Sequence, residues 1–585
     1  MGKIVPRGPG QLEIIYGGLE SPFQGIDATK SSGVYLSPNA LAAAQNLTVQ
    51  DGYLSSIFVN YRGNLAAPTS LTSSYYYTVG DVTVYNPNSP GVYTETTWAF
   101  VITSTNVGLT LYEYANGLVN PRTNTLILAT FNNYTSVGPL VHKTINGVVY
   151  ITGPGLAAIY VYTPNVITGS TLALLTNYVG GAYLNELNGR LICLCCDSYA
   201  GGVLTYAPFQ MSWSAAAGQY NVWNPLVGGL VTGAGFNNLP DVEDKIVGFI
   251  AVGPTGYIVR RQGITEVSPL NSGIQPFDFN HMWASGKGIG SIYPYTVCQY
   301  GSLGAFVSDT GVYTIGYGGI NTIHGLYWNQ LAESIVNYVT YISAPGSGVF
   351  NYAANIWATL CPVYVDGDSY LAFYLSVPNP TNPAAITLSI GNVETKDWST
   401  IQSVAIPTYP LTSAPPVTAM SSLAFYGTGN DKTIPVIVIA ATQAGVISYL
   451  FFTVDDYINQ SAAYPTNPTV SFQLPSEEVQ MWKDITVNAI IIYLKADITT
   501  PEYALLLIQP SLDSLTQNMV LYTSQSVNVF NGVNGVFRFD PATMPLCDKY
   551  PQLTITFTCP VQAITLALRI YKISMFCSYD STQVP

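Results

Sequence analysis

Asn146-Gly-Val-Val-Tyr-Ile-Thr-Gly-Pro-Gly-Leu-Ala-Ala-Ile-Tyr-Val-Tyr162 decides how this chain is read. Residues 147–152 form a short apolar run, Gly153-Pro-Gly155 breaks it, and residues 157–162 form a second run. Turn residues stand where a positive φ is needed, so the segment reads as a β-hairpin. A second unit opens at Asn188-Gly189, 42 residues after the first, and its run 190–196 loops through 197–202 into 203–206. A four-stranded propeller blade takes about 40 to 45 residues, so the offset fits one blade.

Working outward, residues 303–308 turn at Asp309-Thr-Gly311 into 312–315. Further units begin near Lys245, Gly301, Gly367 and Lys432, with wider and uneven gaps. Insertions between irregular blades give such spacing, and so does an array of sandwiches; the propeller is the reading preferred. From about Thr469 the texture changes. Glu477-Glu478, Lys483-Asp484 and Lys495-Ala-Asp497 raise the charge density, and the alternating runs 486–493, 554–558 and 564–571 predict a β-sandwich. The expected fold is all-β, an irregular β-propeller with a C-terminal β-sandwich. The expected division is an N-terminal extension or assembly segment over 1–65, a propeller-like domain with insertions over 66–465, and the sandwich over 466–585.

Helical periodicity is scarce, and its best short case is Asn39-Ala-Leu-Ala-Ala-Ala-Gln45. The uncharged stretch 436–454 is about long enough to span a bilayer. It follows Pro435, is broken by Thr442-Gln-Ala-Gly445 and is rich in β-branched residues, which predicts two buried strands around a turn. No membrane span is expected. Nor does Met1-Gly-Lys-Ile-Val-Pro-Arg7 read as a signal peptide, since it lacks an apolar segment, and Pro6 breaks the myristoylation pattern.

The chain has 585 residues, of which 48% are hydrophobic and only 9% charged, against the usual quarter or so. So apolar a chain folds rather than staying disordered. Its charge-poor exterior implies cover by other subunits. With 19 basic and 32 acidic residues the net charge is -13, which excludes a strong grip on phosphates.

The eight cysteines are Cys193, Cys195, Cys196, Cys298, Cys361, Cys547, Cys559 and Cys577. Cys193 and Cys196 have Cys-x-x-Cys spacing, but strand alternation is expected to point Cys196 away from Cys193 and Cys195. With no second pair, buried free thiols are expected rather than zinc. His142, His281 and His324 are the three histidines, with neither a His-Glu-x-x-His motif nor a serine nucleophile elbow. Gly286-Lys-Gly-Ile-Gly290 lacks phosphate-loop spacing and reads as a bend.

Paired carboxylates can hydrolyse glycosides, one as acid and one as base or nucleophile. The candidates are Asp241 with Glu243 and Asp244, Asp366 with Asp368, Asp455-Asp456, and Glu477-Glu478. All sit at predicted turns or strand edges, where acidic residues are ordinary. Asp366-Gly-Asp368 has too few oxygen ligands nearby to specify calcium. The 44 tyrosines, including Tyr75-Tyr-Tyr77, supply sugar-stacking rings or strand and interface area, and the second use is favoured. No residue is therefore assigned a catalytic, cofactor-binding or metal-binding role, and neither enzyme activity nor a cofactor is expected.

Three phrases carry a resemblance. The first is Ser21-Pro-Phe-Gln-Gly-Ile-Asp-Ala-Thr-Lys-Ser-Ser-Gly-Val-Tyr-Leu-Ser-Pro38 with Ala44-Gln-Asn-Leu-Thr-Val-Gln-Asp-Gly-Tyr-Leu54. The second runs from Trp213-Ser to Trp223-Asn-Pro225. The third joins Val242-Glu-Asp-Lys-Ile-Val-Gly248, Gly288-Ile-Gly-Ser291 and Val307-Ser-Asp-Thr-Gly-Val-Tyr313. In this order they resemble phage tail hub or nozzle proteins of short-tailed, podovirus-like phages, including packaged-DNA stabilisation proteins. The family's Arg-Pro-Gly after the first phrase is absent, with Tyr61-Arg-Gly-Asn64 near its place.

The resemblance implies a virion protein made in the host cytoplasm and placed in the tail. Its copies would form a ring, usually of six, that continues the DNA channel below portal and adaptor. Implied partners are itself, the tail adaptor, fibre or spike proteins, and genomic DNA passing without specific binding; no stable membrane insertion is implied. A receptor-binding or glycan-degrading tail protein is the alternative, and a propeller enzyme or secreted lectin comes third.

Overall fold

A computed structural model describes residues 3–19, 21–28, 39–66, 103–105, 108–111, 114–115, 120–121, 127–129, 140–154, 156–163, 171–176, 179–200, 203–216, 218–239, 244–270, 272, 275–282, 288–342, 356–365, 368–378, 387–402, 417–427, 430–443, 446–455, 458–459, 469–474, 485–498, 503–511, 525–528, 533–539, 552–558 and 565–579. They form an irregular β-propeller with a C-terminal β-sandwich.

The first blade runs Val141–Ile145, Val148–Gly153, Leu156–Thr163 and Thr171–Thr176, each strand antiparallel to the next. Asn146 and Gly147, at φ 50 and 75, make its first turn, as Asn188 and Gly189, at φ 51 and 69, do in the next blade. The second blade is Gly180–Leu187, Arg190–Ala200, Val203–Trp213 and Gly235–Asn238; the third is Ile246–Val252, Thr255–Arg260, Ile264–Pro269 and Phe277–Met282. The fourth is Cys298–Tyr300, Leu303–Ser308, Gly311–Gly316 and Gly319–Thr322. The fifth, Trp357–Val365, Asp368–Ser376, Thr387–Asn392 and Trp398–Gln402, begins a nine-stranded sheet.

Blade follows blade through packing of their first strands. The core accordingly lies between blades. Ile145, Tyr150, Leu191 and Trp223 fill the space between the first and second. Leu187, Met211, Trp213, Phe249 and Phe277 fill the next, and Ile250, Val259, Phe306 and Ile315 the one after.

The sixth blade is built from both halves of the chain. Val417–Gly427, Asn430–Gln443 and Val446–Asp455 are joined by Phe58–Ala66, which pairs with the last of them from Asp455↔Phe58 to Ser448↔Ala66. Gln443 pairs with Val446, so 436–454 is two strands around a turn as expected.

The terminal sandwich is likewise shared. Gln11–Gly17 runs along Thr565–Tyr579 from Gln11↔Ser578 to Gly17↔Lys572, and Ile485–Ile498 covers the other edge. The facing sheet continues the fifth blade through Ala43–Gln45 to Thr469–Gln473, Gln552–Thr558 and Tyr503–Ser511. Ile14, Ile490, Ile573 and Met575 from one sheet meet Phe472 and Ile555 from the other in one core.

Two local expectations are corrected. Residues 39–45 form the strands Ala40–Leu41 and Ala43–Gln45 instead of a helix. Asn39 and Asn46, at φ 65 and 58, break the helical path at both ends, and sheet pairing overrides alanine propensity. Helix Trp328–Ile342, between the fourth and fifth blades, was not anticipated. Its Leu331, Ile335 and Tyr338 are buried at helical spacing.

Candidate functional site

Of the carboxylate candidates, Asp244, Asp368 and Asp455 are among the described residues, and each has its own surroundings. Asp244 is buried and ion-paired with Arg260, 3.1 Å from its Nε to Oδ2, and its Oδ1 accepts from the backbone N–H of Gln262 at 2.6 Å. Asp455 accepts from Thr453 Oγ1 at 2.9 Å and Asn60 Nδ2 at 3.2 Å. Asp368 is exposed at a strand start. Asp241, Glu243, Asp366, Asp456, Glu477 and Glu478 lie outside the described residues, as do Tyr75-Tyr-Tyr77, Gly286, Lys287, Cys547 and Cys559. Among the described residues no three His, Cys, Asp or Glu side chains cluster as metal ligands do.

The expected sidedness of the cysteines is corrected. Cys195 sits at φ 52, and the pairing register slips between Leu194 and Cys196. That bulge adds one residue to the alternation. Cys193 and Cys196 therefore face the first blade together, while Cys195 faces the third. Cys196 Sγ lies 3.2 Å from Ser212 Oγ and 3.3 Å from the Cys193 carbonyl, either of which can accept its one proton. All three are free thiols, as are Cys298, Cys361 and Cys577. Burial pushes Cys361 well above the ordinary thiol range, which leaves it little thiolate for nucleophilic attack.

Each histidine serves its own blade. His281 Nδ1 bonds Thr265 Oγ1 at 2.9 Å. His324 Nδ1 accepts the Val312 N–H at 3.2 Å, which holds that nitrogen unprotonated. His142 lies in the first strand of the first blade, where burial, with Lys143 beside it, lowers its pKa from 6.5 to about 4. Between those values the unfolded chain binds the proton that the folded chain refuses. Its stabilisation is thus complete above about pH 6.5 and is lost as pH falls towards 4. The loss should be on the order of 2 kcal/mol, below the full shift because the ring keeps partial exposure. Urea melts of wild type and His142→Asn across this range check it: the variant should lose this part of the slope.

The two ends of the blades differ. In an antiparallel blade the first and third turns lie at one end and the second turn at the other. Asn188 Nδ2 donates to the Pro254 carbonyl at 2.9 Å, so the first turns of the second and third blades share an end. The Tyr317 ring lies against Gly253, bringing the third turn of the fourth blade to the same end. Across these blades the described residues of the turns at that end, 188–189, 214–216, 218–234, 253–254, 270, 272, 275–276, 301–302 and 317–318, carry no charge, while Glu186 and Arg190 bond to the backbone of Gly189 and Gly233 beside them. The opposite end carries Asp244, Arg260, Arg261 and Asp309.

This end bears a projecting hairpin, Leu226–Val227 paired with Leu230–Val231 across Gly228-Gly229. Both glycines have positive φ, 58 and 82, and both are open to solvent. Leu226, Val227, Leu230 and Val231 are 57, 52, 75 and 56% exposed. The hairpin base is fixed: Thr232 Oγ1 donates to the Asn224 carbonyl at 2.6 Å, and the Thr232 N–H to the Pro225 carbonyl at 3.0 Å. Trp213 Nε1 and Arg190 both donate to the Gly233 carbonyl, at 3.0 and 2.8 Å. Sequence reasoning fixed on the two tryptophans and missed what they hold. The missed signal is the run 198–240, which contains no charge and places Leu-Val on both sides of Gly-Gly.

No family model and no curated protein matches the chain. Solved structures similar to parts of it include the AfRom2 CNH domain, at 8% identity and TM-score 0.29, covering 67% of this chain and 98% of that one. The WD40 domain of Toxoplasma gondii coronin is 8% identical with TM-score 0.26, covering 71% and 88%. An exported protein of Bacteroides fragilis is 10% identical with TM-score 0.25, covering 68% and 95%. The propeller stands on the strand order above.

Proposed function

We propose that this chain is a structural virion protein, a tail nozzle or hub of a short-tailed phage. Its copies form a ring, six by resemblance, that continues the DNA channel below portal and adaptor, retains packaged DNA and carries fibres or spikes. The observation carrying this reading is where the three resembling phrases sit: each occupies a joint of the fold. In the first, the Gly25 N–H donates to Asp397 Oδ1 at 2.7 Å and Asn46 Nδ2 to the Thr469 carbonyl at 2.7 Å, tying the N-terminal segment to the fifth blade and the sandwich. The second anchors the hairpin. The third contains Asp244 and Ser291, whose N–H donates to the Arg260 carbonyl at 2.9 Å. Joints of this kind serve a scaffold that must keep its shape under load, whereas an enzyme gathers polar groups around a substrate.

The net charge of -13 suits a passage for DNA, because an acidic or neutral wall makes few phosphate contacts and a basic wall would hold the genome back. Imaging of the intact particle with this chain located in it is the test. The expected result is a ring of identical copies at the tail, with lumen-facing side chains net acidic or neutral. A chain absent from the tail, a monomer that cleaves capsule or lipopolysaccharide, or a lumen lined with arginines would refute it.

A further inference from the structure

We infer that the Leu226–Val231 hairpin is a lipid-contacting tip that dips reversibly into the headgroup and acyl boundary of a bilayer. Paired residues of a hairpin share a face and successive pairs alternate. Leu226 and Val231 therefore occupy one face and Val227 and Leu230 the other, and all four are more than half exposed. A hairpin that docks on a protein surface needs one apolar face. One that is apolar on both fits a medium that surrounds it.

Three further features match a bilayer. The inward-facing backbone groups are paired across the hairpin, and its base is pinned by Asn224, Thr232, Trp213 and Arg190. The outer edges of this two-stranded ribbon keep open N–H and C=O groups, which confines the tip to the hydrated boundary of the bilayer. Each two-residue arm reaches about 7 Å, within the depth of the headgroup and acyl boundary and too short to span. The hairpin and its flanks carry no charge over 198–240, and the two charged side chains nearest the base are engaged by backbone, Glu186 Oε1 by the Gly189 N–H at 2.9 Å and Arg190 by the Ser214 and Gly233 carbonyls. Leu270 and Tyr317, 42 and 76% exposed on neighbouring turns of this end, suit the interfacial layer. With no cation in 198–240 and Arg190 committed to the Ser214 and Gly233 carbonyls, attraction to anionic lipid plays little part. Lipid contact is independent of the tail role proposed above.

The test is flotation of the full chain with phosphatidylcholine vesicles at low and high salt. The wild type should float at both, and Val227→Asp with Leu230→Asp should cut the bound fraction about tenfold or more. Leu226→Ser with Leu230→Ser provides a milder pair, and the Trp213 environment reports folding in each. A wild type that stays with the unbound protein, or folded variants that float equally well, overturns the inference. So does an oligomer that forms without vesicles and falls apart in the variants, since the hairpin would then be clasped by another copy.

Discussion

Trp398→Ala is expected to destabilise the chain by about 3–5 kcal/mol, the range for deleting a fully buried large aromatic. Trp398 is 1% exposed and stacks on Tyr327, with ring centroids 5.5 Å apart, while Phe373 meets it edge-on at 6.3 Å. Its Nε1 donates to the Ile323 carbonyl at 2.7 Å. Two glycines make room for it: a Cβ on Gly25 would lie 2.3 Å from the Trp398 backbone nitrogen, and one on Gly391 would lie 2.3 Å from its ring. The residue thus joins the fifth blade, the N-terminal segment and the turn before the helix. Urea unfolding should show the loss as a lower midpoint. Trp398→Phe keeps a ring but leaves the carbonyl without its donor, so it should cost less, about 1–3 kcal/mol. Equal midpoints for wild type and the alanine variant would refute this role.

The second large effect concerns the Asp244–Arg260 pair. Arg260 is 5% and Asp244 6% exposed, and Arg260 Nε also donates to the Asp244 carbonyl at 3.0 Å. Asp244→Ala strands a buried guanidinium and should cost about 3–5 kcal/mol. Replacing both, as Asp244→Ala with Arg260→Met, removes the orphaned charge and should recover much of that loss. A double variant no more stable than Asp244→Ala would show that hydrogen bonding to the backbone, and not charge pairing, holds this joint.

Much of the propeller was legible because its turns are written in residue types with few alternatives. Asn146-Gly147 and Asn188-Gly189 adopt the positive φ that the hairpin reading required. Lys245 directly precedes the third blade, Gly301 falls in the first turn of the fourth, Lys432 lies in the sixth, and Gly367 is outside the described residues. Other features depend on distant partners. The bulge at Cys195 leaves no mark in composition, yet it turns Cys196 to the side of Cys193. Residues 39–45 look helical alone, but Ala44 and Gln45 are claimed by Phe472 and Ser471 from the far end of the chain. Helix Trp328–Ile342 has the right spacing, but its Val, Thr and Tyr content resembles the strands around it. Asp244, offered by local spacing as one of a carboxylate group, is instead taken up by Arg260 from the second strand of the third blade, a partner that adjacency in sequence does not reveal.

The sharing of strands between the two termini has a consequence for how the molecule is made. Gln11–Gly17 has its partner at residues 572–578, and Phe58–Ala66 waits for residues 448–455. On the ribosome, the first strands emerge long before the segments that will receive them. Gln11–Gly17 can pair at once with Lys3–Gly8, but its other edge stays open until residues 572–578 are made, and edges left open so long invite aggregation. Maturation should therefore be slow, late and all at once, and any release of the nascent chain before the final strand leaves a product that cannot close.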